Sequence, residues 1–477
     1  MTKHICLLLT LAFITAALFS QERAERAFCT NVSQTRLLET VRDLVRLGPR
    51  TGGTKSGDLA ARYVARKLKG MGFRPEVHED DGLLTFSNIR WSLKVEEPRS
   101  LRKLIRNEWL GGYSPTVRKK AATLVFVPAP NDLKKGELEG NAVLLDELSN
   151  PKSYQRIVEA GGSCILLISP RLEGAYSKWA MISDLKASRD NPIPLFNLSY
   201  ENGERLKKVL ADSPRVVVSF SAQTIIQEGR PRTVITTLPG DSTAYYIVCA
   251  HGDSDSGGPG ADDNASGVSG VLEIARNLKK LVQSKALTKP KFSIQFIVWG
   301  REIHSTEQYV NARAGELEKI LGVINIDEIG TGATRDCLYF ESNDVKHNEK
   351  LLRTLEAVGE QYVGKKGFWT ESTTNPSQGG TDSYVFFPNY LRYLKVPEQK
   401  IPAVTVYTGA WNELKQLRQT EGWTSKAWKG HPDSVFVDYS AYYHSSLDIP
   451  ELTTEREPHN MVGAVKAVGI ALLRLAW

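Results

Sequence analysis

The sequence predicts an α/β fold: a mostly parallel sheet flanked by helices, with a smaller β-rich α/β unit inserted into it. Three observations predict it. After Arg232 the chain alternates apolar strand-like runs with helix-period segments, the order that a parallel sheet with crossover helices produces. Those runs are almost continuously apolar, as in Tyr245–Ala250 and Ile294–Trp299, which suits strands covered on both faces. Between about 98 and 225 the texture shifts to short strands and turns with little helix period.

The elements follow in order. Residues 1–20 carry Lys3 and His4 and then an apolar run from Ile5 to Phe19. That run is shorter than the roughly 20 residues of a membrane span and reads as an export signal. Residues 34–70 are helical: Leu37, Leu38, Val41, Leu44 and Val45 share one face, and Ala60, Ala61, Val64, Ala65 and Leu68 another. Gly-Pro-Arg-Thr-Gly-Gly breaks the pattern at 48–53, and Pro75-Glu-Val-His opens an extended segment. In the middle unit, Ala122–Val127, Gly140–Leu145, Cys164–Ile168, Ile193–Leu198 and Val216–Phe220 read as strands and Ser153–Ala160 as a helix. Beyond it come strand Ala244–Ala250, helix Gly267–Leu281, strand Ser293–Trp299 and helix Thr306–Leu321. Strand Gly322–Ile326, helix Asn348–Gly359, strand Ala403–Tyr407 and a closing helix Pro458–Trp477 complete the chain. The resulting division is a signal over 1–20, a first part of the main domain over 31–97, the insertion over 98–225 and the main domain proper over 226–477.

A chain of 477 residues exceeds one ordinary core. Its net charge of +7 is spread thinly, with no Lys/Arg block interleaved with aromatics, so nucleic acid is not an expected partner. No other apolar run is long enough to span a bilayer, so no membrane is expected for the mature chain, which should be secreted or periplasmic. Composition leaves the oligomeric state open. Cys164 and Cys249 sit in apolar runs and read as small core residues; no CxxC pair exists.

Ligands of open α/β sheets sit beyond the carboxyl ends of the strands, and the polar residues cluster there. One strand ends at His251-Gly-Asp253, the next at Gly300-Arg-Glu302, and a third at Asp327-Glu328. Asp262-Asp263-Asn264 precedes a helix, and Tyr442-Tyr443-His444 precedes the last one. Zinc takes imidazole nitrogen and carboxylate oxygen, with an open position at a catalytic site, and two such ions share a bridging carboxylate. His251, Asp263, Asp327 and His444 supply that set. Asp253 is placed to take the proton of the other His251 ring nitrogen. Singly, each residue has a plainer reading as a turn, a helix cap or a core histidine.

His251-Gly-Asp253-Ser…Gly260-Ala-Asp-Asp263-Asn-Ala-Ser-Gly267, Asn325-Ile-Asp327-Glu-Ile-Gly330 and Tyr443-His444-Ser-Ser-Leu-Asp448-Ile-Pro450 resemble the metal motifs of the M28 metallopeptidases. Gly48-Pro-Arg-Thr-Gly-Gly-Thr, Gly380-Thr-Asp382 and Ile401-Pro-Ala-Val404 are similar to further stretches of that family. The resemblance covers most of 34–95 and 226–477. It implies a zinc-peptidase/phosphorylase-like fold and an aminopeptidase acting on a peptide substrate with one or two zinc ions. It places His251 and Asp327 on one ion, Asp263 as the bridge beside a cis Asp263–Asn264 bond, and His444 on the second. Glu159-Ala-Gly-Gly162 with Ile165–Ile168 and Ile193-Pro-Leu-Phe resemble the protease-associated domain often inserted in this family.

The chain departs from the family in two places. Where a Glu-Glu pair is usual, it reads Trp299-Gly-Arg301-Glu302-Ile303. An ungapped match makes Glu302 the catalytic base and puts Ile303 at the position of a zinc ligand, unless His304 or Glu328 swings in. A shift of one makes Glu302 the ligand instead. Arg301 reads equally as an ion-paired rim residue. The roughly thirty residues from Thr408 to Tyr439, with Trp411, Trp423, Trp428 and His431, form a long loop that reads either as an overhang narrowing the cleft or as an ordinary packed excursion, and Tyr443 is a candidate oxyanion donor. A catalytically impaired binding protein of this family and a single-zinc glutaminyl-cyclase-like acyltransferase stand as alternatives.

Overall fold

The computed structural model describes residues 21–477 except 107, 149–150, 170–191, 214, 255–257, 332–336, 343–348, 376–379, 409, 412–422, 425–435, 439–441 and 443. Residues 1–20, expected to be an export signal, and Tyr443, Trp428 and His431 therefore lie outside the described residues.

Apolar runs that alternate faces set the central sheet. In Ser242–His251, Tyr246, Val248 and Ala250 enter one apolar layer and Tyr245, Ile247 and Cys249 the other. Eight strands pair in the order Glu76–Glu79, Arg232–Leu238, Phe292–Trp299, Ser242–His251, Ile320–Ile326, Ala403–Tyr407, Cys337–Glu341 and Glu371–Asn375. The middle four are parallel. Arg232–Leu238 and Cys337–Glu341 flank them antiparallel. One face carries helices Gln34–Val45, Lys55–Gly70, Gly267–Gln283, Glu349–Tyr362 and His459–Ala476. The other carries His304–Ala312, the turn Asp382–Phe386 and Pro388–Tyr393. His459–Ala476 is long and apolar enough to cross a membrane, but 78% of it is buried in the core.

Local signals explain the element ends. Ser33 and Thr54 accept hydrogen bonds from Arg36 N–H and Gly57 N–H and so cap their helices. The break at 48–53 falls between those two helices. Cys164 and Cys249 are buried, as read.

The helix expected over Thr306–Leu321 ends at Ala312. Leu317 starts a short 3-10 turn, and the next strand begins at Ile320, which pairs with Tyr245. Sheet pairing and burial of Leu317 and Ile320 outweigh helix period there. Strands Cys337–Glu341 and Glu371–Asn375 are additions to the sequence reading.

The middle of the chain builds a second sheet of seven strands. Its order is Leu83–Glu97, Val217–Gly229, Val117–Phe126, Ala142–Leu145, Cys164–Ile168, Leu195–Leu198 and Trp109–Leu110. Leu83–Glu97 and Val217–Gly229 pair antiparallel along most of their length. Apolar clusters cover its two faces. Within the long 408–439 segment, Ala410–Trp411, Phe436–Asp438 and Trp423–Thr424 form a small sheet; the rest lies outside the described residues.

Candidate metal centre

Strand register brings the first residues together. Cys249 lies opposite Asn325 in the parallel pair, so His251 and Asp327, each two residues on, emerge side by side. The loop after the His251 strand leads to Phe292–Trp299 on one side, and the chain after Asp327 leads away on the other. A cleft opens where neighbouring connections diverge in this way.

Asp263 reaches the same point from the loop before helix Gly267–Gln283, beside a cis Asp263–Asn264 bond, as the resemblance implied. Asp448 fixes that loop: its carboxylate accepts the N–H groups of Asp262 (2.8 Å) and Asp263 (3.1 Å). Asn264 donates its side-chain N–H to Ile326 O (3.0 Å) and accepts from Gly267 N–H (2.8 Å). A Cβ on Gly267 would collide with both Asn264 Oδ1 and Ile326 O. Glycine is what lets the helix start this close to the strand.

His251 Nε2 lies 3.3 Å from Asp263 Oδ1 and 3.4 Å from Asp327 Oδ1. Ligands about 2.0–2.1 Å from a tetrahedral zinc stand about 3.3–3.4 Å apart, so these two separations match two edges of such a site, and all three ligand atoms lie within 4.8 Å of one another. Asp327 Oδ1 is buried with no hydrogen-bond partner, while its Oδ2 accepts from Thr381 Oγ1 (2.6 Å). One oxygen is thus held and the other left for an ion. Asp253 Oδ1 lies 3.1 Å from His251 Nδ1. A carboxylate only accepts, so Nδ1 carries a proton, and Nε2 is the ring atom turned toward Asp263 and Asp327, open to an ion once its own proton leaves. His444 Nε2 lies 2.8 Å from Asp263 Oδ2. Asp263 therefore presents one oxygen to each histidine, the geometry of a bridging carboxylate. The donor set fits a divalent cation at His251, Asp263 and Asp327.

Glu302 lines the same small cavity as Asp263, Asp327, Glu328, Glu341 and His444. Its N–H donates to Asp253 Oδ1 (3.0 Å), which ties its turn to His251. Ile303 instead packs into the apolar layer behind the sheet, and its N–H donates to Asp382. Arg301 is buried against Gly52 and does not line the cavity. His304 Nε2 lies 3.0 Å from Asp81 O, in an exposed contact away from the cavity. Glu302 thus reaches the cavity, as both the base and the ligand readings require, and of His304 and Glu328 it is Glu328 that lines it.

Like charges dominate the electrostatics. Burial, then Asp263 and other acids, raises the Glu328 carboxyl well above its usual range. Burial also raises Asp448 strongly and Asp262 and Asp382 to about 7. At His251, burial opposes the charged form, yet Glu302 and Asp327 outweigh it and raise the pKa. At Asp263, burial is outweighed by the hydrogen bonds from His251 and His444, which lower it.

Sequence reasoning missed Arg50. It is fully buried, and its guanidinium donates to the carbonyls of Gly252 (3.1 Å), Pro259 (2.9 Å) and Gly260 (2.7 Å). It clamps the loop between His251 and Asp263. The signal was the Gly48-Pro-Arg50 stretch, noted only as a helix break and a family cue. Thr381 and Asp448 likewise lie inside the Gly380-Thr-Asp382 and Tyr443–Pro450 stretches, where residue type alone gives them no role.

Residues 233–468 match the model of "Peptidase family M28". The chain is 27% identical over 265 residues to the "Probable lipoprotein aminopeptidase" of Mycobacterium tuberculosis, covering 54% of this chain and 49% of that one. It is 31% identical over 225 residues to "Leucine aminopeptidase 2" of Trichophyton rubrum, covering 46% and 41%. The chain thus spans about half the length of the curated relatives it matches, or less. In fold it is similar to the Peptidase M28 precursor from Shewanella amazonensis, with TM-score 0.65 and 18% identity over 95% of this chain and 96% of that one. It is also similar to a zinc aminopeptidase from Bacillus subtilis, with TM-score 0.57 and 18% identity over 93% and 95%.

Proposed function

Residues 233–468 belong to peptidase family M28, and from that premise and the site geometry we propose that the chain is a zinc-dependent aminopeptidase. The observation that carries the reading is the convergence of His251, Asp263 and Asp327 at tetrahedral-edge separations, with Glu302 lining the same cavity. Zinc held there supplies Lewis acidity, polarising the scissile carbonyl and acidifying water beside it.

The chain's own residues do the rest. Glu302 takes the proton of the attacking water and returns it to the leaving amine. Asp253 holds His251 in the tautomer with Nε2 free, and Thr381 fixes the rotation of Asp327. The cavity wall carries five carboxylates, Asp263, Glu302, Asp327, Glu328 and Glu341, and among its described lining residues no Lys or Arg. Two divalent ions balance four of those charges, so a positive amino end is favoured there over a terminal carboxylate.

The chain is proposed to be exported. The apolar run Ile5–Phe19 supports this, as does the name of the Mycobacterium relative, a lipoprotein. A protease-associated-like insertion over 98–225 is proposed; the seven-stranded sheet supports a separate unit there, but its strands run from Leu83 to Gly229, so the unit begins before 98.

Hydrolysis of aminoacyl-4-nitroanilides tests the function. Activity should disappear with a chelator, return with zinc, and fall about 10²–10⁴-fold in Glu302→Gln with zinc content unchanged. Full activity in Glu302→Gln would refute the base assignment. No hydrolysis by zinc-loaded wild-type protein on free or blocked amino ends would refute the enzyme.

A further inference from the structure

Among the described residues, Asp263 and His444 alone face each other on the second side of the site, one ligand short of three. The residue after Glu302 is Ile303, which is half-buried and packs against the apolar layer behind the sheet. Catalytic zinc is ordinarily held by three protein ligands.

Glu328 lies where the third could come from. It directly follows Asp327, is 8% exposed and lines the cavity together with Asp263 and His444. Its Oε1 is buried with no hydrogen-bond partner. The charges that dominate its surroundings are those of Asp263, Asp262, Asp327 and Asp448, all negative. An isolated buried carboxylate is among the costliest groups to keep in a protein. Its backbone is built to aim it: φ is +48°, rare for a residue with a side chain. Its carbonyl is held by the Thr408 N–H (3.1 Å) and Oγ1 (3.2 Å). Ile329 N–H and Gly330 N–H are held next to it by Ser266 Oγ (3.0 Å) and Asp262 Oδ1 (2.7 Å).

We propose that Glu328 is the third protein ligand of the second metal position, beside Asp263 and His444, and replaces a carboxylate that position 303 does not provide. This rests on the metallopeptidase reading above. It also assigns the two neighbouring glutamates different tasks, Glu302 for the proton and Glu328 for the ion.

Zinc and cobalt(II) titration of the chelator-stripped full chain, read by metal content after gel filtration and by cobalt absorption, tests this without reference to turnover. Wild-type protein should bind two equivalents and Glu328→Gln one. Glu328→Asp should bind two, the second at least about 10-fold more weakly. Metal-free Glu328→Gln should melt no lower than metal-free wild type, because it loses a like charge, but should gain less on zinc addition. Two equivalents of undiminished affinity in Glu328→Gln would overturn the assignment and leave the metallopeptidase reading standing; a raised KM alone would then make Glu328 an amine-binding group. A single equivalent in wild type, unchanged in Glu328→Gln, would overturn it too. No binding by wild type would overturn the metallopeptidase reading itself and this inference with it.

Discussion

Replacing Arg50 with Met keeps the length of the side chain and removes three hydrogen bonds to the carbonyls of Gly252, Pro259 and Gly260. Each buried carbonyl left without a donor costs about 1–3 kcal/mol. Against this stands the relief of desolvating a guanidinium whose pKa burial lowers to about 10. Breaking one side of a buried charged arrangement generally costs a net of about 3–5 kcal/mol. At about 2–4 °C per kcal/mol for a domain of this size, Tm should fall by about 6–20 °C. The clamped loop carries His251 at one end and Asp263 at the other, so zinc affinity should fall about 10–100-fold as well. Differential scanning calorimetry of the metal-free protein and competition titration against a zinc chelator read the two effects separately. Arg50→Lys, which can serve one carbonyl at a time, should lie between. If Arg50→Met leaves both Tm and zinc affinity unchanged, the loop does not depend on the guanidinium and the reasoning fails.

The metal-free protein should lose stability as pH rises from 5 to 8. Asp262 and Asp382 have folded pKa values raised to about 7, and Glu328 and Asp448 are raised as well. A raised carboxyl contributes stability below its unfolded pKa that is lost as pH climbs through the folded one, and His251, also raised, acts in the same direction. Bound zinc should flatten the profile; a metal-free Tm that rises over this range would refute the picture. Gly267→Ala should destabilise by about 1–3 kcal/mol in denaturant melts, since its Cβ meets Ile326 O and Asn264 Oδ1; a neutral effect would show that the helix start can shift. Asp448→Ala should free the Asp262 and Asp263 N–H groups and weaken zinc binding, with little effect on the second sheet as read by far-UV circular dichroism. Zinc at 100 times its Kd should stabilise the wild type by about 2.7 kcal/mol, read as the shift of its denaturant midpoint.

Legibility followed the periodicity of the physics. Ala403–Tyr407 was readable to the residue, and Ser242–His251 and Gly267–Gln283 within two, because a continuous apolar run and an i, i+3, i+4 stripe are local signals. The Thr306–Leu321 segment departs from the helical reading because its last residues belong to a strand that pairs with the His251 strand from Ile320 onward, a contact between distant residues. Strand Cys337–Glu341 is set by Tyr339 and Phe340 lying against Val406 and Tyr407, which no local pattern announces. Arg50 was visible as a residue type in a glycine-rich break, but its three acceptors lie some two hundred residues away.

By itself the sequence determined the chemistry on offer: two imidazoles and several carboxylates at the carboxyl ends of buried strands, with Ile303 where a second glutamate was expected. Residue type and distance from the end of an apolar run are written in order along the chain, so they can be read there. The tertiary structure alone decided how those groups are used. Strand register sets His251 beside Asp327, Asp448 and Arg50 hold the Asp263 loop against them, and Ile303 turns into the core while Glu302 and Glu328 face the cavity. Each of those outcomes depends on contacts between segments far apart in sequence, and only the folded chain fixes such distances.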